Sequence, residues 1–198
     1  MIKRELIHPR KVVWVMRDFI NDIHGLTYLG LRLPHVENET TDEWFERFRN
    51  AVEEEVPSQV KMVKREKGFA VCPCEKENTE FHFFYNLDEL YCKGHYQFAQ
   101  DFFSRCPAGR GFASITITIL HEIGHMNAQQ EFEGYDRVQS IIDLEKNFPS
   151  ETINFEYFKL PDEKAATDWA IEWLSHPENR RKAKEFEKKF FECFKKRG

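Results

Sequence analysis

The sequence predicts an α+β domain, and three observations predict it. Apolar residues recur at helical spacing from Val12 to Ile23 and again beyond Thr40, short β-prone segments follow one another from Gln59 to Leu87, and helical periodicity returns from Pro161 onward. At 198 residues the chain suits one domain with a substantial core, for which 19 Phe and four Trp supply apolar mass. Residues 1–75 read as a helix-rich N-terminal part and residues 76–198 as the part that carries the chemistry.

Each element has its own local reason. Val12 to Ile23 is amphipathic. In "ETTDEWFERFRNAVEEEV", Thr40 and Glu43 have the spacing of a capping box, in which hydroxyl and carboxylate reciprocally satisfy two backbone N–H groups. "QVKMVKR", "FAVCPC" and "TEFHFFYNL", separated by Gly68 and "EKEN", read as a small antiparallel sheet. "GHYQFAQDFFSRC" reads as a helix that "PAGRG" ends. The C-terminal third gives two helices, Pro161 to Ser175 and Pro177 onward, each with Pro in its first turn. Ser114 to Ile119 alternates like a strand, yet Ile115, Ile119, Ile123 and Met126 fall on one helical stripe with Ser114 available as N-cap. The helix is the reading that gives this stretch chemistry.

Charge and composition exclude whole classes. A formal charge of -5 argues against a general nucleic-acid binder, which needs excess Lys and Arg to neutralise phosphates. The tail from Glu178 is the basic exception, read as a solvated helix face in preference to an interaction face. The N-terminus has basic residues without an unbroken apolar run, and no later run approaches membrane-spanning length, so a soluble, cytoplasmic protein is expected. Five cysteines without secretory context fit reduced thiols.

The chemistry concentrates in "TITILHEIGHMNAQQ". On a helix, residues four apart share a face, so His121 and His125 can point both imidazoles at one zinc ion. Glu122 then stands beside the metal as a general base able to take a proton from activated water and pass it to the leaving amine. Gly124 costs about 1 kcal/mol of helix propensity against Ala, which calls for a close neighbouring backbone. Two histidines are too few for a metal, so a further ligand must lie downstream. His176 sits next to Pro177 at a helix break and does not suit. Glu131, six residues past His125, is one option, but the metzincin pattern that uses that position needs Gly where Ala128 stands. Glu163, in the first turn of the amphipathic "LPDEKAATDWAIEWL", is the better option, with Ala166, Trp169, Ala170 and Trp173 as the buried face.

The two segments together resemble the ImmA/IrrE family of gluzincin metallopeptidases. The family's Thr-x-x-His-Glu-x-Gly-His pattern is similar to Thr118 through His125, and its second motif to Glu163 through Ala170 running to Leu174. Ala165 replaces the second Glu of that motif, and Thr167 replaces the Asn or Asp that holds a zinc histidine in its tautomer, with Asp168 or Asp162 as substitutes. The resemblance spans about residues 78 to 175. It implies a zincin-like α+β catalytic core within residues 76–198, zinc held by His121, His125 and Glu163, and Glu122 as catalytic base. Thr167 and Asp168 would support the ligands. The implied activity is endopeptidase cleavage of a cytoplasmic protein or peptide substrate. The competing function is a zincin-scaffold binding protein without turnover, acting on a protein partner or nucleic acid, although it has no chemical need for Glu122. A third reading is an α+β domain without metal.

Other constellations carry less. Cys72, Cys74, Cys92 and His95 invite a second metal, against the default of free cysteines on a sheet. His82 reads as a strand residue. "TEFHFFYNL" is a candidate edge strand along which an extended substrate would pair. Tyr135 and Tyr157 are candidate donors to a tetrahedral oxyanion.

Overall fold

The computed structural model describes residues 4–23, 37–40, 43, 44, 46, 47, 50, 51, 60–64, 70–73, 81–85, 102–127, 134–149 and 156–196, the three inner strand segments chiefly through their backbone. These residues form an α+β fold, mostly helical. The chain divides into two compact units, Met1–Leu87 with Ala183–Gly198, and Asp88–Lys182.

In the first unit, strand β1 (Arg4–Leu6) pairs antiparallel with β5 (Phe194–Lys196), with Leu6 opposite Phe194. Helix α1 (Pro9–Ile23) buries Val12, Met16, Phe19 and Ile20 at helical spacing. Phe19 stacks on Phe186 with centroids 4.3 Å apart, and Phe186 leads on to Phe190 and Phe194. The capping box forms: the Glu43 N–H donates to Thr40 Oγ1 at 3.2 Å, and the Thr40 N–H donates to Glu43 Oε2 at 2.8 Å. Those bonds hold the Glu43 carboxyl below its usual range.

Strands β2 (Val60–Lys64), β3 (Ala70–Pro73) and β4 (Phe81–Tyr85) form a sheet of order β2-β4-β3. β3 pairs antiparallel with β4, but β2 pairs with β4 in parallel. The expected all-antiparallel sheet is therefore corrected. The chain runs from β2 to the far edge before returning, so β4 enters between the other two and shares the direction of β2. For the same reason β4 offers no free edge to a substrate, because both of its sides are already hydrogen-bonded.

The second unit is helical, built from α2 (Ser114–Asn127), α3 (Arg137–Asn147), α4 (Pro161–Ser175) and the start of α5 (Pro177–Glu192). A 3₁₀ turn at Pro107–Gly109 precedes α2. Ser114 is the first residue of α2 and not its cap; the Ala113 carbonyl accepts from the N–H groups of Thr116 and Ile117. Ten residues of α2 from Ile115 to Met126 are buried, including Ile117, Thr116 and Thr118 off the expected stripe. A helix covered on most sides keeps only a narrow polar face, here Glu122 and His125, which explains why its sequence mimics strand alternation. The Thr118 hydroxyl turns inward to its own helix, donating to the Ser114 carbonyl at 3.0 Å.

Helix α4 packs along α2. Its buried stripe is Glu163, Ala166, Thr167, Ala170 and Leu174. Trp169 and Trp173 are only half-buried, so two polar side chains occupy the face expected for tryptophan. At the other end of α4, Arg180 donates to the carbonyls of Leu174 and Ser175, and Asn179 to that of Trp173. Part of the basic tail thus serves as a helix cap. Among the described residues no helix is long and apolar enough to cross a membrane.

Candidate metal centre

Two helices supply the centre. His121 and His125, one turn apart on α2, present their rings edge to face with centroids 4.7 Å apart. Gly124 lies beside them and lets α4 come close: a Cβ there would meet the Ala166 carbonyl oxygen at 2.3 Å and its Cα at 2.9 Å. Ala166 stands between Glu163 and Thr167, so this approach carries both side chains onto the histidines. Pro161 in the first turn sets the start of α4, and Glu163 follows within that turn.

The ligand atoms converge. Glu163 Oε2 lies 3.0 Å from His121 Nε2 and 3.3 Å from His125 Nε2, and the three side chains together offer atoms within 4.8 Å of one another. Bonds of about 2.0–2.2 Å to a four-coordinate ion place ligand atoms roughly 3.3–3.5 Å apart, so the spacing fits a divalent metal. His121 and Glu163 are buried and His125 is partly open, which leaves one approach.

Thr167 orients the first histidine. Its hydroxyl donates to the Glu163 carbonyl at 2.9 Å, because a carbonyl can only accept. Oγ1 therefore accepts from His121 Nδ1–H at 3.1 Å, which leaves Nε2 to face Glu163 Oε2. Two lone pairs face each other at 3.0 Å only with a cation between them, a proton or a metal ion. Burial pushes the Glu163 carboxyl up, but with protons in that place hydrogen bonds and charge from His121 and His125 outweigh it and hold the group well below the usual carboxylate range, and a metal cation there acts in the same sense. The donor set is thus an ionised carboxylate and two imidazoles, one with its tautomer fixed.

No family model, curated protein or solved structure matches the chain. The site is read from its own chemistry.

Around the ligands lies a polar shell. Arg137 Nη2 donates to Glu163 Oε1 at 2.8 Å and to the Tyr157 hydroxyl at 2.7 Å, while Nη1 pairs with Asp162. Burial pushes the Tyr157 phenol up, and the negative charge of Glu163, a hydrogen bond to that carboxylate and the charge of Glu122 push it further, so the hydroxyl stays protonated. Glu122 follows His121 on α2, is half-buried, and lies near enough to Tyr157 for its charge to be felt there. Tyr135 donates to Asp162.

Asp168 does not support the ligands. It faces Arg105 and Lys164, both exposed, because its position on α4 turns it off the buried stripe. Asp162 is likewise engaged by Arg137 and Tyr135. Glu131, Cys74, Cys92 and His95 lie outside the described residues, and so do the side chains of Cys72 and His82. Cys106 and Cys193 are free thiols, both buried. Sequence reasoning missed Arg137 and the helix it begins. A signal was present: Asp136 caps α3 by accepting from the Gln139 N–H at 3.0 Å, the Asp-x-x-Gln spacing of a helix start.

Proposed function

We propose that this chain is a zinc metallopeptidase of zincin type, resembling the ImmA/IrrE gluzincins, that hydrolyses a peptide bond in a protein substrate. The observation that carries the reading is the convergence of His121, His125 and Glu163 with Glu122 adjoining on the same helix. Two imidazoles and one carboxylate with a remaining open position form a ligand set that catalytic zinc sites use. When bound, zinc supplies Lewis-acid polarisation of the scissile carbonyl and acidifies water.

The chain's own residues supply the rest. Glu122 accepts a proton from the attacking water and returns it to the departing amine. Thr167 keeps His121 in the tautomer that leaves Nε2 available. Tyr157, protonated beside the acidic groups, serves as donor to a developing oxyanion by exchanging its hydrogen bond to Glu163 for one to the substrate, and Tyr135, which donates to Asp162, is the alternative. The test is metal analysis of the purified protein, followed by peptide-library cleavage compared with Glu122→Gln. About one zinc per chain and cleavage lost in Glu122→Gln are expected. A natively folded protein without affinity for zinc refutes the reading.

A further inference from the structure

The two oxygens of Glu163 have different partners. Oε2 faces both histidines, whereas Oε1 accepts from Arg137 Nη2 at 2.8 Å. A carboxylate can ligate a metal through one oxygen or through both, and the choice decides how many positions remain open. With Oε1 held by a guanidinium, turning the carboxylate to ligate through both oxygens breaks a charge-assisted hydrogen bond.

Arg137 is itself well placed for this. Gly134, with φ +72°, turns the chain just before α3, and Asp136 caps the helix that Arg137 begins. The guanidinium lies over the Tyr157 ring at 5.7 Å and spans Asp162 and Glu163 together. Those two carboxylates more than offset its single charge, which makes it a poor receptor for the terminal carboxylate of a substrate. It acts on the ligand and not on the peptide.

We propose that Arg137 is the positioning residue of the metal centre: by holding Oε1 it presents Oε2 alone and fixes one-oxygen ligation by Glu163. This rests on the metal-centre reading above, and the experiment separates the two. The parent protein, Arg137→Lys and Arg137→Gln are loaded with Co(II). Affinity is measured by competition with a chromophoric chelator, and coordination by the visible d–d spectrum. The parent is expected to bind one ion with an intense four-coordinate spectrum. Arg137→Gln should lose about 10–100-fold in affinity and show the weaker spectrum of a higher coordination number. Arg137→Lys, with one ammonium that cannot span Asp162 and Oε1 together, should fall between them on both measures. If Arg137→Gln does not fold, the lysine variant carries the test. An affinity loss with a parent-like spectrum in every folded variant would overturn positioning, and so would parent-like values on both measures. A parent that binds no ion overturns the metal centre, and the role of Arg137 with it.

Discussion

Gly124→Ala puts one methyl group into the middle of α2, a change that stabilises an open helix by about 1 kcal/mol. Here the added Cβ would sit 2.3 Å from the Ala166 carbonyl oxygen, whereas ordinary contact begins at 3.4 Å. The obstacle is backbone and cannot rotate away. Helices α2 and α4 must therefore part by about 1 Å in an interior packed as densely as a crystal. Overpacking of this kind costs about 1–3 kcal/mol, so after the propensity gain the variant should be less stable by about 0–2 kcal/mol. The larger effect falls on the metal. Ligand bonds tolerate about 0.2 Å of misplacement, and Glu163 sits one turn from Ala166 on the helix that moves. Metal affinity should fall by about 10–100-fold, the range seen when supporting shells are disturbed. Denaturant unfolding of the metal-free protein reads the first effect, and chelator competition reads the second. A variant more stable by about 1 kcal/mol with unchanged affinity would refute the close approach and its role.

Further outcomes follow from the same geometry. Thr167→Val should fold but bind zinc about 10–100-fold more weakly, because His121 loses the acceptor that fixes its tautomer, and Thr167→Ser should restore binding; equal affinity in all three proteins removes Thr167 from the site. Glu122→Gln should keep metal and fold and lose about 10²–10⁴-fold in hydrolysis, measured at saturating substrate. Glu163→Gln should lose zinc while Glu131→Gln keeps it, and the reverse result would sink the gluzincin reading proposed above. Burial pushes the Cys193 thiol from 9.0 up to about 11. The unfolded chain sheds that proton first, so this contribution is fully present below pH 9 and is lost as pH rises toward 11. Urea midpoints across that window should fall, and Cys193→Ala should flatten the fall.

What was legible in the sequence was local. The capping box at Thr40 and Glu43, the helices bounded by Pro161, Ser175 and Pro177, and the histidine pair all follow from spacing within a turn or two. Gly124 was legible as a demand for a close backbone, though not for Ala166 as the answer. The rest depended on partners distant in sequence. Whether β2 runs parallel or antiparallel to β4 is decided by which strand the chain visits first, and alternation carries no record of that. Glu163 and Thr167 displaced Trp169 and Trp173 from the buried face because the neighbouring helix offers them histidines, a compensation that hydrophobic pattern cannot express. Arg137 became visible only when its helix was placed, since its partners lie some 20 to 26 residues further along the chain.

The division of the ligands between α2 and α4 also bears on how the protein folds. His121 and His125 come together as soon as one helical turn forms, on a timescale of about a microsecond or less. Glu163 is about 38 residues beyond His125, and bringing it in requires closing that stretch of chain and docking one helix on another. A partly folded chain with α2 formed and α4 undocked therefore holds a half-site of two imidazoles, able to capture a metal weakly before the third ligand arrives. Each increment of helix docking then appears as an increment of affinity. Metal release during unfolding should accordingly track the separation of α4 from α2 and precede the melting of α2 itself.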